Sequence, residues 1–187
     1  VALPISLNIP GGSTSHAPGL VFSSNASKSM TEFAQYTIEK LTSLKDADGR
    51  GSFLPVGGLE IATTEDRLQD LHRRAGWNRS YGVEADVIDA DECAKLFPML
   101  NRDMVHGGLL TPGDGLALAA KGTQIVIDRA RAAGVEFRDR TTVTDVETTG
   151  GRVSAVICGD DRIPADIVVS CAGFWGPKIG EMVGTSI

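Results

Sequence analysis

Apolar and polar residues alternate along this chain with two different periods. A helix is expected from Met30 to Leu44, where Met30, Phe33, Thr37, Leu41 and Leu44 share a face and Ser29 with Glu32 forms a capping box. Short strands follow at Phe53–Val56 and Leu59–Thr63, joined tightly at Gly57-Gly58. Thr63 with Asp66 opens a helix that turns Leu68 and Leu71 inward and ends near Gly76. Asp89 with Glu92 opens a shorter one, stopped by Pro98, and a strand near Val105–Thr111 runs into the turn Pro112-Gly113-Asp114-Gly115. Residues 116–133 are Ala-rich and helical, with a stripe at Leu118, Gly122, Ile125, Arg129 and Ala133. Strands are then expected at Val135–Arg138, Val143–Thr148, Val153–Cys158 and Ile167–Cys171, with Gly150-Gly151 as a hairpin turn. The last of these is a continuous apolar run, as in a buried parallel strand. The order predicts an α/β fold at both ends with α+β material over roughly residues 50–112 between them.

Composition narrows the classes. The chain has 187 residues, 42% hydrophobic and 22% charged, with net charge −6. Acids and bases are mixed along it, which argues against a nucleic-acid surface. No apolar run approaches the roughly 20 residues that span a bilayer, so no membrane partner is expected. Cys93, Cys158 and Cys171 are too widely spaced for a zinc pattern and odd in number. Reduced thiols suit a cytoplasm-like compartment. The chain has no initiator Met and no convincing signal peptide; its first ten residues read as the end of a connection, and both ends look cut.

Residues 11–28, GGSTSHAPGLVFSSNASK, form a long loop of small residues. Long loops in compact domains are usually functional or disordered. Within it His16 is flanked by Ser13, Thr14 and Ser15 on one side and Ala17-Pro18-Gly19 on the other, where small residues permit close backbone approach and hydroxyls offer hydrogen bonds. A lone His in such a loop reads more readily as a surface residue than as an anchor for a cofactor. His72 sits beside Arg73 and Arg74 on a charged helix face and reads as solvated. His106 precedes Gly107-Gly108 in a strand, where a catalytic role competes with a surface one. Glu60, Asp86 and Asp89 make no recognisable acid–base set, and the three His residues make no metal site. No catalytic residue can be assigned.

Four segments in order, GGSTSHAPGLVF, VGGLEIATTEDRL, GGLLTPGDGLA and IPADIVVSCAGFWGPKIG, resemble the FAD-containing part of dimethylglycine oxidase and the dimethylglycine and sarcosine dehydrogenases, within the D-amino-acid-oxidase-like FAD-dependent oxidoreductases. The resemblance covers essentially the whole chain. It implies a Rossmann-like FAD-binding domain (residues 1–49 and 113–187) with part of a substrate domain (50–112) inserted. It implies covalent 8α-linked FAD on His16, with Ser13, Thr14, Ser15 and Gly19 around it. It also implies backbone contact of Val143 with adenine, and close passage of Ala172-Gly173, with Trp175 nearby, along the cofactor. On the residues alone, Val143 is an equally good plain sheet residue, Ala172-Gly173 an ordinary strand end, Trp175 a packed aromatic and Asp114-Gly115 a structural turn. The activity implied is oxidation of an N-methyl amino acid by hydride transfer to flavin. Formaldehyde or a one-carbon unit on tetrahydrofolate, held in a domain outside this chain, is the product. Oxygen or an electron-transfer protein is the acceptor, and the mitochondrial matrix is the compartment in a eukaryote. A regulatory, non-catalytic homologue and a glycine- or proline-type oxidase with noncovalent FAD are the alternatives. No GxGxxG turn occurs in the chain, so that unit is expected upstream, and the piece alone is expected neither to fold nor to hold a whole active site.

Overall fold

The computed structural model describes residues 12–186; the reading of the first ten residues lies outside them. Contacts divide the chain into two compact units, residues 13–129 and, among the described residues, Gly12 with residues 130–186. Both mix helix and strand, as the α/β reading expects.

A 3-10 turn, Gly12–His16, leads into the first unit and is followed by a short strand, β1 (Leu20–Val21), so the long loop carries structure of its own. Helix α1 follows (Lys28–Ser43), starting two residues earlier than expected. Its N-cap is Ser27, without a side-chain cap bond, in place of the expected Ser29–Glu32 box. Its inward face is also rotated. Thr31 is fully buried with Ala34, Ile38 and Leu41 partly buried behind it, while Met30 and Phe33 are more than half exposed. Burial of Thr31 is tolerated because its hydroxyl donates to the Ser27 carbonyl at 3.0 Å.

Strands β2 (Phe53–Leu54) and β3 (Gly58–Ala62) are not a hairpin pair. β2 pairs with β6 (Gly115–Ala117), whose other edge holds β1; β3 pairs with β5 (Gly107–Thr111), which also carries β4 (Asp86–Ile88). Each sheet has three antiparallel strands, the first in the order β1-β6-β2 and the second in the order β3-β5-β4. Helix α2 (Glu65–Ser80) is capped by Thr64 rather than Thr63 and runs through Gly76. It lays Leu71 and Ala75 on Ala62, Ala85 and Leu109, with Leu68 alongside. Helix α3 (Ala90–Leu96) has the expected Asp89–Glu92 capping box and buries Cys93 against Val105 and Ala90. Helix α4 (Ala119–Ala132) buries Gly122 and Ile125 from the expected stripe.

The second unit is built on a meander of β7 (Asp145–Thr149), β8 (Arg152–Cys158) and β9 (Asp161–Pro164), with Gly150-Gly151 as the first turn. Helix α5 (Gly176–Met182) packs on β7. Two expected strands are absent. Residues 135–138 are irregular: the Val135 N–H turns back to the Ala130 carbonyl at 2.9 Å, closing the end of α4, and no described strand pairs with the run. Residues 167–171 are irregular too, with Ile167 81% and Val169 78% exposed. A strand needs a neighbour for its backbone groups, and no described strand pairs with this run.

Candidate functional site

His16 ends the 3-10 turn with its imidazole exposed, and no hydrogen bond or ion pair holds the ring among the described residues. Ser13 and Ser15 are also exposed and Thr14 is half-buried, its carbonyl accepting the Ala17 N–H at 3.4 Å. The turn therefore presents a His side chain and hydroxyl groups on a backbone of small residues. Gly19 closes it at φ +81°, and a β-carbon there would lie 2.5 Å from the Ala117 carbonyl oxygen. Only glycine fits this contact, in which the Gly19 carbonyl also accepts the Ala117 N–H at 2.7 Å.

Just past β1 in the chain, Ser23 and Ser24 join a polar cluster that no sequence pattern marked. Asp114 and Ser23 are each 4% exposed. One carboxylate oxygen of Asp114 accepts both the Ser23 N–H, at 2.8 Å, and the Ser23 hydroxyl, at 2.7 Å. Burial pushes the Asp114 carboxyl above its ordinary value, and the two Ser23 donors pull partly the other way. Ser24 is buried beside it and accepts from Asn78 at 2.8 Å and Arg74 at 3.2 Å. Arg74 and Arg67 in turn both pair with Glu60, the former at 2.6 Å. A cleft of about 390 Å³ opens here, bordered by Leu20, Phe22, Glu60, Arg74, Thr111 and Asp114. The turn signal at Pro112–Gly115 was legible, but Ser23 stands 91 residues from Asp114 and no local pattern joins them.

The other expected contacts belong to the second unit. Val143 is half-buried and precedes β7 by two residues, outside the strand expected to carry it; Thr144 joins the ladder by donating to the Ile157 carbonyl at 2.8 Å. Ala172-Gly173 leads into a 3-10 turn, Gly173–Trp175, and does not end a strand. Trp175 is 63% exposed, so it is not a packed core aromatic. His72 is exposed, and His106 is exposed with its Nδ1 3.6 Å from Glu65. Among the described residues no group of side chains is arranged to hold a metal, and no helix is long and apolar enough to cross a membrane.

Residues 7–187 match the family described as FAD dependent oxidoreductase, and the chain belongs to that family. It is 29% identical over 187 residues to mouse mitochondrial sarcosine dehydrogenase and 27% identical over 177 residues to rat mitochondrial dimethylglycine dehydrogenase. Those matches cover 96% and 94% of this chain but only 20% and 21% of the relatives. The chain is also 27% identical over 173 residues, 92% of its length and 20% of the relative's, to the mouse mitochondrial pyruvate dehydrogenase phosphatase regulatory subunit. Among solved structures it resembles L-proline dehydrogenase from P. horikoshii (TM-score 0.85, 20% identity, 93% of this chain and 46% of that one). It also resembles glycine oxidase from Geobacillus kaustophilus (TM-score 0.81, 22% identity, 95% and 50%). The fold is therefore that of FAD-dependent oxidoreductases, and the resemblance read from the four sequence segments holds.

Proposed function

We propose that this chain is the flavin-carrying part of an oxidoreductase acting on an N-methyl amino acid of the dimethylglycine or sarcosine type, with FAD joined covalently to His16. The observation that carries the reading is the exposed imidazole of His16, unpartnered among the described residues, at the end of a turn of small hydroxylated residues. A donor set of this kind fits a flavin edge: a nitrogen lone pair free to form a bond, and Ser13, Thr14 and Ser15 beside it for polar ring atoms. Ser13, Thr14, Ser15, Gly19, Val143, Ala172, Gly173 and Trp175 are proposed as the cofactor-contacting residues. Residues 1–49 and 113–187 are assigned to the FAD-binding domain, and 50–112 to the substrate domain.

When bound, the flavin supplies a two-electron acceptor for hydride leaving the substrate N-methyl carbon. His16 prevents loss of the cofactor between turnovers. Water releases formaldehyde from the iminium product, or a tetrahydrofolate-binding domain outside this chain takes the one-carbon unit. Dioxygen or an electron-transfer protein is the final acceptor. The compartment is the cytoplasm or, in a eukaryote, the mitochondrial matrix.

The similarity to a phosphatase regulatory subunit supports a second reading, a homologue that keeps the fold without the chemistry. Anaerobic addition of dimethylglycine or sarcosine to the full-length protein separates the two. Bleaching of the flavin absorbance is the expected result; unchanged absorbance with both substrates favours the regulatory reading. Bleaching with glycine or proline alone, by flavin that washes out in denaturant, favours the noncovalent amine oxidases instead.

A further inference from the structure

The chain leaving the His16 turn is held by little regular structure. Strand β1 has two residues, paired as Leu20 with Leu116 and Val21 with Gly115 on one edge of β6. What fixes the strand is the contact at each end. At the first, the Ala117 N–H donates to the Gly19 carbonyl at 2.7 Å. At the second, Asp114 takes both donors of Ser23 through one buried oxygen, and Ser24 is fastened to α2 by Asn78 and Arg74. A buried acceptor whose partners are taken away is costly to leave unsatisfied, and a second donor from the same residue fixes direction as well as distance. Asp114 also receives the Gly57 N–H on its own carbonyl at 2.9 Å, so its backbone is fixed from the β2–β3 connection.

We propose that Asp114 is a positioning residue for flavin attachment. Through Ser23 it fixes β1, and with it the turn whose imidazole must meet the cofactor's 8α carbon. The proposal rests on the reading of His16 as the anchor. In the attachment step a His16 nitrogen lone pair forms the C–N bond. The carbon loses one proton and the imidazole its N–H proton. The two electrons released pass through the ring system to dioxygen or the electron-transfer protein that reoxidises the flavin. A reaction of this kind depends steeply on placement, and an error of about 1 Å can cost about a hundredfold in rate.

The test uses the full-length protein in three variants: Asp114→Ala, Asp114→Asn and Ser23→Ala. Acid-precipitable flavin is measured against total bound flavin over time in the folded fraction from gel filtration, with thermal melting recorded in parallel. D114A is expected to bind FAD but to attach it about tenfold more slowly or worse. D114N is expected to recover attachment, because its amide oxygen can accept both Ser23 donors. S23A is expected to slow attachment about fivefold, the size of one buried hydrogen bond. Attachment at the wild-type rate in folded D114A, whatever its melting temperature, overturns the proposal, as does D114N attaching as slowly as D114A. If D114A does not accumulate, S23A decides: slowed attachment supports the tie and the wild-type rate overturns it. Wild-type protein that releases all its flavin in acid defeats the anchor reading itself, and this proposal with it.

Discussion

Asp114 is buried, and burial holds its carboxyl above the ordinary value of 3.8 despite two donors from Ser23. A group whose folded pKa exceeds its unfolded one favours the folded state when protonated. Its stabilising contribution is therefore complete below the unfolded value and disappears as pH rises through the folded value. Asp114→Asn keeps an accepting oxygen and cannot ionise. The stability of wild type minus that of D114N should then fall as pH is raised above the ordinary carboxyl value of 3.8 and through the raised folded one. Urea melts of the full-length pair at several pH values measure it, and a difference that stays flat or grows with pH contradicts the assignment. His16 stands out as a candidate at this scale because its signal is local: one His among small residues, in a motif that resembles a family. The Asp114–Ser23 tie does not, since its two partners meet only when β1 and β6 pair.

Elements respond to substitutions through their neighbours. Gly115 lies at the centre of the β1-β6-β2 sheet, where a β-carbon would sit 2.1 Å from the Leu54 carbonyl oxygen and 2.8 Å from the Phe53 ring. The first of those is backbone and cannot swing aside, so Gly115→Ala should cost about 2–3 kcal/mol in chemical denaturation, as overpacked cores do. At α3, Asp89 accepts the Glu92 N–H at 2.8 Å while the Glu92 side chain returns to the Asp89 N–H. Loss of this cap in Asp89→Ala should cost about 1 kcal/mol by the same measurement, with the midpoint shifted and the slope unchanged. The α3 cap was read correctly because cap and partner are three residues apart. The α1 face was misread because periodicity ranks hydrophobicity alone. Thr31 goes inward by bonding within its own helix, and the larger Met30 and Phe33 stay outside. Residues 135–138 and 167–171 have strand composition, but a strand is a pairing, and pairing is not written in the segment itself.

On the scale of the molecule, two compact units divide near the end of α4. The family match runs through both, over residues 7–187. In the first unit the largest buried apolar cluster joins α2 to the β3-β5-β4 sheet, with Leu71 fully buried and Leu109 1% exposed. Leu71→Ala should therefore cost about 2–5 kcal/mol in the full-length protein. Fold class was legible here because the order of elements and the four family-like segments agree. The exact sheets were not, since β1, β2 and β6 are each two or three residues long and carry little pattern. The chain spans about a fifth of the length of the curated relatives named above, so its activity is best tested in the whole protein. The central claim is the bond between His16 and FAD. Peptide mapping by mass spectrometry of the full-length protein, digested after removal of free flavin, tests it directly. The account predicts that the peptide containing His16 carries the mass of FAD and that fragmentation puts it on the imidazole, with His16→Ala abolishing the adduct. An unmodified His16 peptide in protein that retains its flavin, or an adduct on another residue, would contradict it.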